Sequence, residues 1–131
     1  MAESKKYKVF IVDDDEFLLS MYSVKFSKSG LEVVTSTGSA DALNKLTEGF
    51  VPDVMVLDIV MPGMNGFELL EKIRSLKLAP GAIVIFLTNL GQDADIERAK
   101  KLGANGYIVK ASSIPSEVYA EVMKHLEGAK R

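Results

Sequence analysis

Several kinds of residue are scarce or missing from this chain, and each absence excludes a class of function. The 131 residues include no cysteine, which excludes disulfides, zinc–thiolate sites and thiol catalysis. The single histidine, His125, has no second candidate ligand or base beside it, so we expect it at the surface. Charge is nearly balanced, with a net value of −2 and a sequence pI of about 5.4, so a basic nucleic-acid-binding surface is not indicated.

A long hydrophobic run is also missing from the start of the chain. The polar N-terminus leads into an apolar run of about six residues, which is too short for a signal peptide or a membrane span. The apolar share of 47% and the charged share of 26% are ordinary for a soluble globular protein. We therefore expect a single cytoplasmic domain over residues 1–131, with no membrane segment and no output domain in this chain.

Short apolar runs alternate with segments of helical spacing along the whole sequence. The runs predict strands at 7–12, 31–35, 54–57, 82–87 and 106–109, and the spacing predicts helices at 17–26, 39–48, 66–75, 93–102 and 115–126. Ser39 is the predicted N-cap of the second helix. The alternation favours an α/β, flavodoxin-like (βα)5 fold, with a five-stranded parallel sheet of order 2-1-3-4-5 and helices on both faces.

Polar side chains stand where four of the predicted strands end. Asp13 and Asp14 follow the first strand, Asp58 the third, Thr88 the fourth and Lys110 the fifth. Taken alone, each one is also compatible with an ordinary turn or exposed residue. Because the carboxyl ends of parallel strands share one rim of the sheet, we expect these side chains to converge there and to form a site.

The chemistry of these side chains fits a phosphoryl group beside a metal ion. Clustered carboxylates repel one another, and Mg²⁺, which prefers oxygen ligands and retained water, relieves that repulsion. Residues 13–16 are acidic and lack glycine, so a nucleotide or flavin phosphate is not expected after the first strand. With Lys110 and Thr88 opposite, Asp58 can carry a phosphoryl group as a covalent acceptor.

Four stretches of the sequence together resemble the receiver domain of two-component response regulators, a family typified by chemotaxis regulators. They are residues 10–16, 57–66, 87–88 and 102–110, and the second contains the pattern Asp-x-x-Met-Pro-x-Met-Asn-Gly. The haloacid dehalogenase superfamily uses similar groups in another order, with its nucleophilic Asp on the first strand and its acidic pair late in the chain. The resemblance covers essentially the whole chain.

This resemblance implies how the acidic residues would work. Asp58 would accept a phosphoryl group from a phosphohistidine of a sensor histidine kinase or phosphotransfer protein. The implied cofactor is Mg²⁺, held by Asp14 directly, by Asp13 through water, by Asp58 and by the backbone carbonyl of Val60. These positions match the family's motif in this sequence.

The resemblance also implies roles for three further residues. Lys110 would contact the phosphoryl oxygens, and Thr88 would move toward them. Tyr107 would change rotamer with Thr88 as a switch, although a half-exposed strand residue is an equally good interpretation, since aromatic residues favour strands.

Two positions depart from the family pattern without removing a chemical group. Asn89 follows Thr88 where a small residue is usual, which would narrow access to Asp58. Ala111 follows Lys110 where proline is usual. We predict a trans Lys110–Ala111 bond, because a cis bond before a residue other than proline costs roughly 2.5–4 kcal/mol.

The favoured function is a phosphoacceptor regulator that catalyses only its own phosphorylation and dephosphorylation and is not otherwise an enzyme. Phosphorylation would switch a surface of the fourth helix, fifth strand and fifth helix that binds a downstream protein. Two alternatives stay open: a phosphatase-like hydrolase with an aspartyl-phosphate intermediate, and a degenerate scaffold that is never phosphorylated. We expect no direct nucleic acid binding, and a monomer or a weak dimer through the last helix.

Overall fold

Strands and helices alternate along the computed structural model, which describes residues 6–129 apart from the side chains of residues 112 and 129. The strands are β1 (Lys8–Val12), β2 (Glu32–Ser36), β3 (Val54–Leu57), β4 (Ile83–Thr88) and β5 (Gly106–Val109). The helices are α1 (Glu16–Lys28), α2 (Ser39–Thr47), α3 (Gly66–Ser75), α4 (Asp93–Lys101) and α5 (Pro115–Ala129), with a 3-10 helix at Lys110–Ser112.

The five strands form one parallel sheet, and the predicted strand order is confirmed as β2-β1-β3-β4-β5. In the centre of the sheet, Val54 of β3 pairs with Val9 of β1 on one side and with Ile83 of β4 on the other. All four residues of β3 are buried, because helices cover both faces of the sheet and leave no polar face for this strand.

Each face of the sheet packs against its own set of helices. Alternate residues of β1 point to opposite faces, so Phe10 joins the core under α2, α3 and α4, whereas Ile11 joins the core under α1 and α5. Only Ala99 of α4 is fully buried, so α4 packs on the sheet through fewer buried apolar residues than the other helices do. None of the described helices is long and apolar enough to span a membrane.

The start of α2 differs from the prediction. Ser39 is not the N-cap but the first residue of the helix, and the N-cap Gly38 makes no side-chain capping bond. The Ser39 hydroxyl instead donates to the backbone carbonyl of Met64 at 2.8 Å, and Ser39 is buried. The Ser39 hydroxyl, which the local sequence predicts to cap the helix, instead forms a tertiary hydrogen bond. This bond connects α2 to the loop after β3.

The segment after β5 contains a turn that hydrophobic spacing does not reveal. Lys110 begins the 3-10 helix, and no cis peptide bond occurs among the described residues. The Lys110–Ala111 bond is therefore trans, as predicted. This turn sets the direction from which the lysine side chain enters the rim of the sheet.

His125 is half-buried, so the expectation of a surface position is wrong in part. A Cβ atom placed on Gly106 would lie 2.7 Å from the imidazole Nε2 atom. The imidazole of α5 therefore packs on the backbone of the edge strand β5, where glycine leaves room for it.

Candidate functional site

Three carboxylates meet at the rim formed by the ends of β1 and β3. One oxygen each from Asp13, Asp14 and Asp58 lies within 4.8 Å of the other two. Asp13 and Asp58 are buried, whereas Asp14 is exposed. The structure thus brings together the acidic residues that the strand ends placed at this rim, in an oxygen-only donor set of the kind that suits Mg²⁺.

A single ammonium group lies among these carboxylates. Lys110 Nζ is 2.7 Å from Asp13 Oδ2 and 3.2 Å from Asp58 Oδ2, and the lysine side chain is only 8% exposed. Backbone N–H groups hold the other two oxygens: Asp15 donates to Asp13 Oδ1 at 2.9 Å and Ile59 donates to Asp58 Oδ1 at 2.8 Å. Each of the two buried carboxylates is thus bonded through both oxygens, yet one cation faces three anions.

Burial and the surrounding charges shift two pKa values in this site. Burial raises the pKa of Asp58, and the opposing effect of Lys110 does not cancel it, since Asp13 adds to the rise. Burial by itself would lower the pKa of Lys110, but its hydrogen bond to Asp13 and the two negative charges outweigh burial and raise it. Folding therefore favours the charged form of Lys110 and makes ionised Asp58 less favourable than it is in the unfolded chain.

Asp58→Asn should make the metal-free protein more stable at neutral pH. Folding raises the pKa of Asp58, so protonation of this carboxyl group stabilises the folded state at pH values below its pKa in the unfolded chain. That stabilisation is lost as the pH rises through the higher pKa of the folded state. Asparagine does not ionise, so the variant does not lose this stabilisation at neutral pH. The difference in stability between the variant and the parent protein should become smaller as the pH is lowered. Urea midpoints with chelator at about pH 7 and about pH 4 measure it.

Asp93→Asn is the matched control for this stability measurement. Asp93 is exposed in the first turn of α4, where a negative charge is mildly favourable, so its loss should lower stability slightly. A parent protein that is more stable than Asp58→Asn at both pH values would contradict the charge-crowding account.

Thr88 and Tyr107 hold the same backbone segment from two sides. The Thr88 hydroxyl, which is fully buried, accepts from the N–H of Leu90 at 3.4 Å, and the Tyr107 hydroxyl donates to the carbonyl of Leu90 at 2.6 Å. Burial, with a smaller effect of Asp95, raises the pKa of Tyr107 to about 12, so its hydroxyl stays a donor. Any movement of Thr88 therefore acts on a segment that Tyr107 also holds.

Gly66 packs closely against the backbone of Asp58. A Cβ atom at this position would lie 2.1 Å from the backbone oxygen of Asp58, and the Gly66 N–H donates to the carbonyl of Ile59 at 2.8 Å. Asn65 caps α3 and forms a capping box with Glu68. Sequence reasoning placed Gly66 at the start of a helix but missed this contact, although a glycine beside a good N-cap is a signal of close backbone approach.

An open cleft lies over Asp58 and gives access to it from solvent. Its lining residues come from four segments that end or begin at this rim: Asp14, Asp15, Leu18, Asp58, Val60, Thr88, Asn89 and Lys110. Val60 is 59% exposed and Asp58 is 5% exposed, so the Asp58 carboxylate lies at the floor of the cleft and apolar surface lies at its mouth.

Comparison with known proteins identifies the class. Residues 9–121 match the response regulator receiver domain, and the chain belongs to this family. It is 36% identical to the chemotaxis protein CheY of Thermotoga maritima, over 89% of this chain and 95% of that protein. The CheY-like receiver domain protein of Methanospirillum hungatei has the same fold, with a TM-score of 0.86 and 27% identity over 96% of this chain and 98% of that chain.

Longer regulators match the chain over only part of their own length. The transcriptional regulatory protein PhoP of Bacillus subtilis, which controls alkaline phosphatase synthesis, is 33% identical over 88% of this chain but only 46% of that protein. The chain therefore spans about half the length of such relatives. It is a receiver domain of two-component response regulators with a phosphoacceptor signalling function, and these matches give no support to the phosphatase-like alternative.

Receiver domains bind Mg²⁺ at an acidic cluster, and the corresponding cluster in this chain is Asp13, Asp14 and Asp58. The donor set fits the ion, since all three groups offer carboxylate oxygen and the exposed Asp14 leaves a side open to water.

Proposed function

We propose that Asp58 accepts a phosphoryl group from a phosphohistidine on a sensor histidine kinase or a phosphotransfer protein. The observation that carries this proposal is the buried ammonium of Lys110 at 3.2 Å from Asp58 Oδ2. A cation fixed beside the acceptor oxygen stabilises the charge on the transferring phosphoryl oxygens and needs no reorganisation during the reaction. Asp13, Asp14, Asp58 and the backbone carbonyl of Val60 would hold Mg²⁺, which, when bound, neutralises the carboxylates and the phosphoryl oxygens.

The chain's own residues account for the transfer step. An Asp58 carboxylate oxygen attacks the phosphorus atom, and the bond from phosphorus to the donor nitrogen breaks with its electron pair leaving on the imidazole. Lys110 pairs with one phosphoryl oxygen, and the Thr88 hydroxyl turns to donate to another. The products of the transfer are the phosphorylated domain and the free imidazole of the donor, and we infer that the domain acts as a regulator rather than as a hydrolase of small phosphoesters.

The change at Thr88 would reach a partner-binding surface through Leu90. The Thr88 hydroxyl now accepts from the Leu90 N–H, and Tyr107 donates to the Leu90 carbonyl. If Thr88 turns to the phosphoryl group, the Leu90 N–H loses its acceptor, and the segment leading into α4 and the Tyr107 side chain on β5 adjust together. The surface of α4, β5 and α5 is therefore the proposed output for a downstream protein.

Exposed apolar residues near the cleft favour a protein as the phosphoryl donor. Phe17 is 74% exposed, Val60 59% and Ile114 60%, and each lies within four residues in sequence of a residue of the site. Met21 and Val24 continue the exposed apolar stripe of Phe17 along α1 at helical spacing. A donor protein would cover this surface, whereas a small phosphoester would not.

Labelling with a small donor tests the acceptor assignment. The protein incubated with acetyl phosphate and Mg²⁺ should gain one phosphoryl group by intact mass. Asp58→Asn should abolish the gain, and Asp93→Asn, which removes an exposed carboxylate in α4, should leave it unchanged. Stoichiometric labelling of Asp58→Asn would refute the assignment, and sustained turnover of a phosphoester would favour a hydrolase instead.

A further inference from the structure

One residue at the mouth of the cleft has no part in the proposed transfer. Asn89 follows the buried Thr88 directly and lines the cleft together with Asp58, Val60 and Lys110. The residue is exposed, and its side chain makes no hydrogen bond to any other described residue. An unengaged carboxamide therefore stands on the path between solvent and Asp58.

The position of Asn89 is relevant to hydrolysis of the phosphoryl group on Asp58. Water must attack the phosphorus atom in line with the bond to Asp58, on the side opposite the carboxylate. Because Asp58 is only 5% exposed and lies at the floor of the cleft, the attacking water comes from the mouth. The line of attack thus passes the side chains that surround the mouth.

Few of those side chains can hold a neutral water molecule there. Leu18 and Val60 are apolar, and the Lys110 ammonium is engaged with the carboxylates of the floor. Asp14 belongs to the acidic cluster. The Thr88 hydroxyl can also accept and donate, but it is fully buried and is assigned to a phosphoryl oxygen. Asn89 is therefore the exposed neutral side chain of the lining that can both accept from water and donate to it.

We propose that Asn89 is a positioning residue that holds the attacking water over phosphorylated Asp58 and thereby sets the lifetime of the phosphorylated state. The inference rests on the proposed function. In the step, the water oxygen bonds to phosphorus, the bond from phosphorus to the Asp58 oxygen breaks, and Asp58 departs as a carboxylate with the electron pair. The water proton leaves to solvent, and inorganic phosphate leaves through the mouth.

A decay experiment on the whole chain tests this role. The protein is labelled with acetyl phosphate and Mg²⁺, freed of donor by rapid desalting, and followed by intact mass. Asn89→Leu, which keeps the size but removes the amide, should decay about five- to tenfold more slowly, as expected for the loss of one hydrogen bond. Asn89→Gln should restore much of the parental rate, which a purely steric role would not predict.

Gln92→Leu is the matched control, since Gln92 is an exposed amide of the same loop that does not line the cleft and makes no capping bond. Its decay should equal that of the parent. Normal labelling of Asn89→Leu followed by parental or faster decay would overturn the inference alone, and faster decay would mark Asn89 as a shield. Failure to label the parent protein would overturn the proposed function and this inference with it.

Discussion

Gly66→Ala is expected to lower the free energy of unfolding by about 3 kcal/mol or more, because the added methyl group has no space. Its position would lie 2.1 Å from the carbonyl oxygen of Asp58 and 2.8 Å from the Cα atom of Ile59. Both are backbone atoms, so no flexible side chain can move aside. The helix start cannot withdraw either, since the Gly66 N–H is bonded to the Ile59 carbonyl at 2.8 Å.

Urea unfolding followed by circular dichroism measures this effect. Gly81→Ala is the matched control, because a Cβ atom at Gly81 meets no atom within 4 Å and this glycine does not have a positive φ. We expect the control to change stability by less than about 0.5 kcal/mol. An equally small change for Gly66→Ala would show that the loop after β3 is not held against Asp58 as described.

Lys110→Met is the second large effect, and its sign should depend on metal. The variant leaves the buried Asp13 and Asp58 without their shared cation, and removing one partner of a buried ion pair costs about 3–5 kcal/mol. Without metal, the variant should therefore be destabilised by an amount near the lower end of that range. Millimolar Mg²⁺ should recover much of the loss, because the carboxylate oxygens that Lys110 occupied become available to the ion.

The pH dependence gives a second check on Lys110. Its pKa is raised in the folded state, so the charged ammonium stabilises the fold below its ordinary pKa, and that stabilisation is lost as pH rises through the folded value. The difference between parent and variant should therefore persist at neutral pH and shrink in strong alkali, where the ammonium loses its proton, and in acid, where the Asp58 partner becomes protonated. Lys100→Met, which removes an exposed lysine 3.9 Å from Glu97, should change stability by less than about 1 kcal/mol with or without Mg²⁺. An equal effect of the two lysines would contradict the account.

The sheet could be predicted from the sequence because its signals are local and agree with one another. The fully apolar run 54–57 predicts a strand buried on both faces, and the alternation with helices then fixes a parallel arrangement. The bond from Ser39 to Met64 could not be predicted in this way, because it joins residues 25 positions apart and competes with a local cap. The half-buried position of His125 also depends on a distant residue, Gly106.

The candidate site could likewise be predicted in part from the sequence. The rule that strand ends share one rim brings Asp13, Asp58 and Lys110 together from residue identity alone. It does not say that one lysine bonds to both carboxylates, because that depends on the reach of its side chain from the 3-10 turn. The shared hold on Leu90 by Thr88 and Tyr107 is likewise a matter of tertiary distance.

The central claim is that Asp58 carries the phosphoryl group, and chemical trapping tests it most directly. The protein labelled with acetyl phosphate and Mg²⁺ is treated with borohydride, which reduces an acyl phosphate to an alcohol, and its peptides are then sequenced by mass spectrometry. We expect a homoserine residue at position 58 and unmodified aspartate at positions 13 and 14. Reduction at Asp13 or Asp14 instead, or a phosphorylated protein with no reduced aspartate, would contradict it.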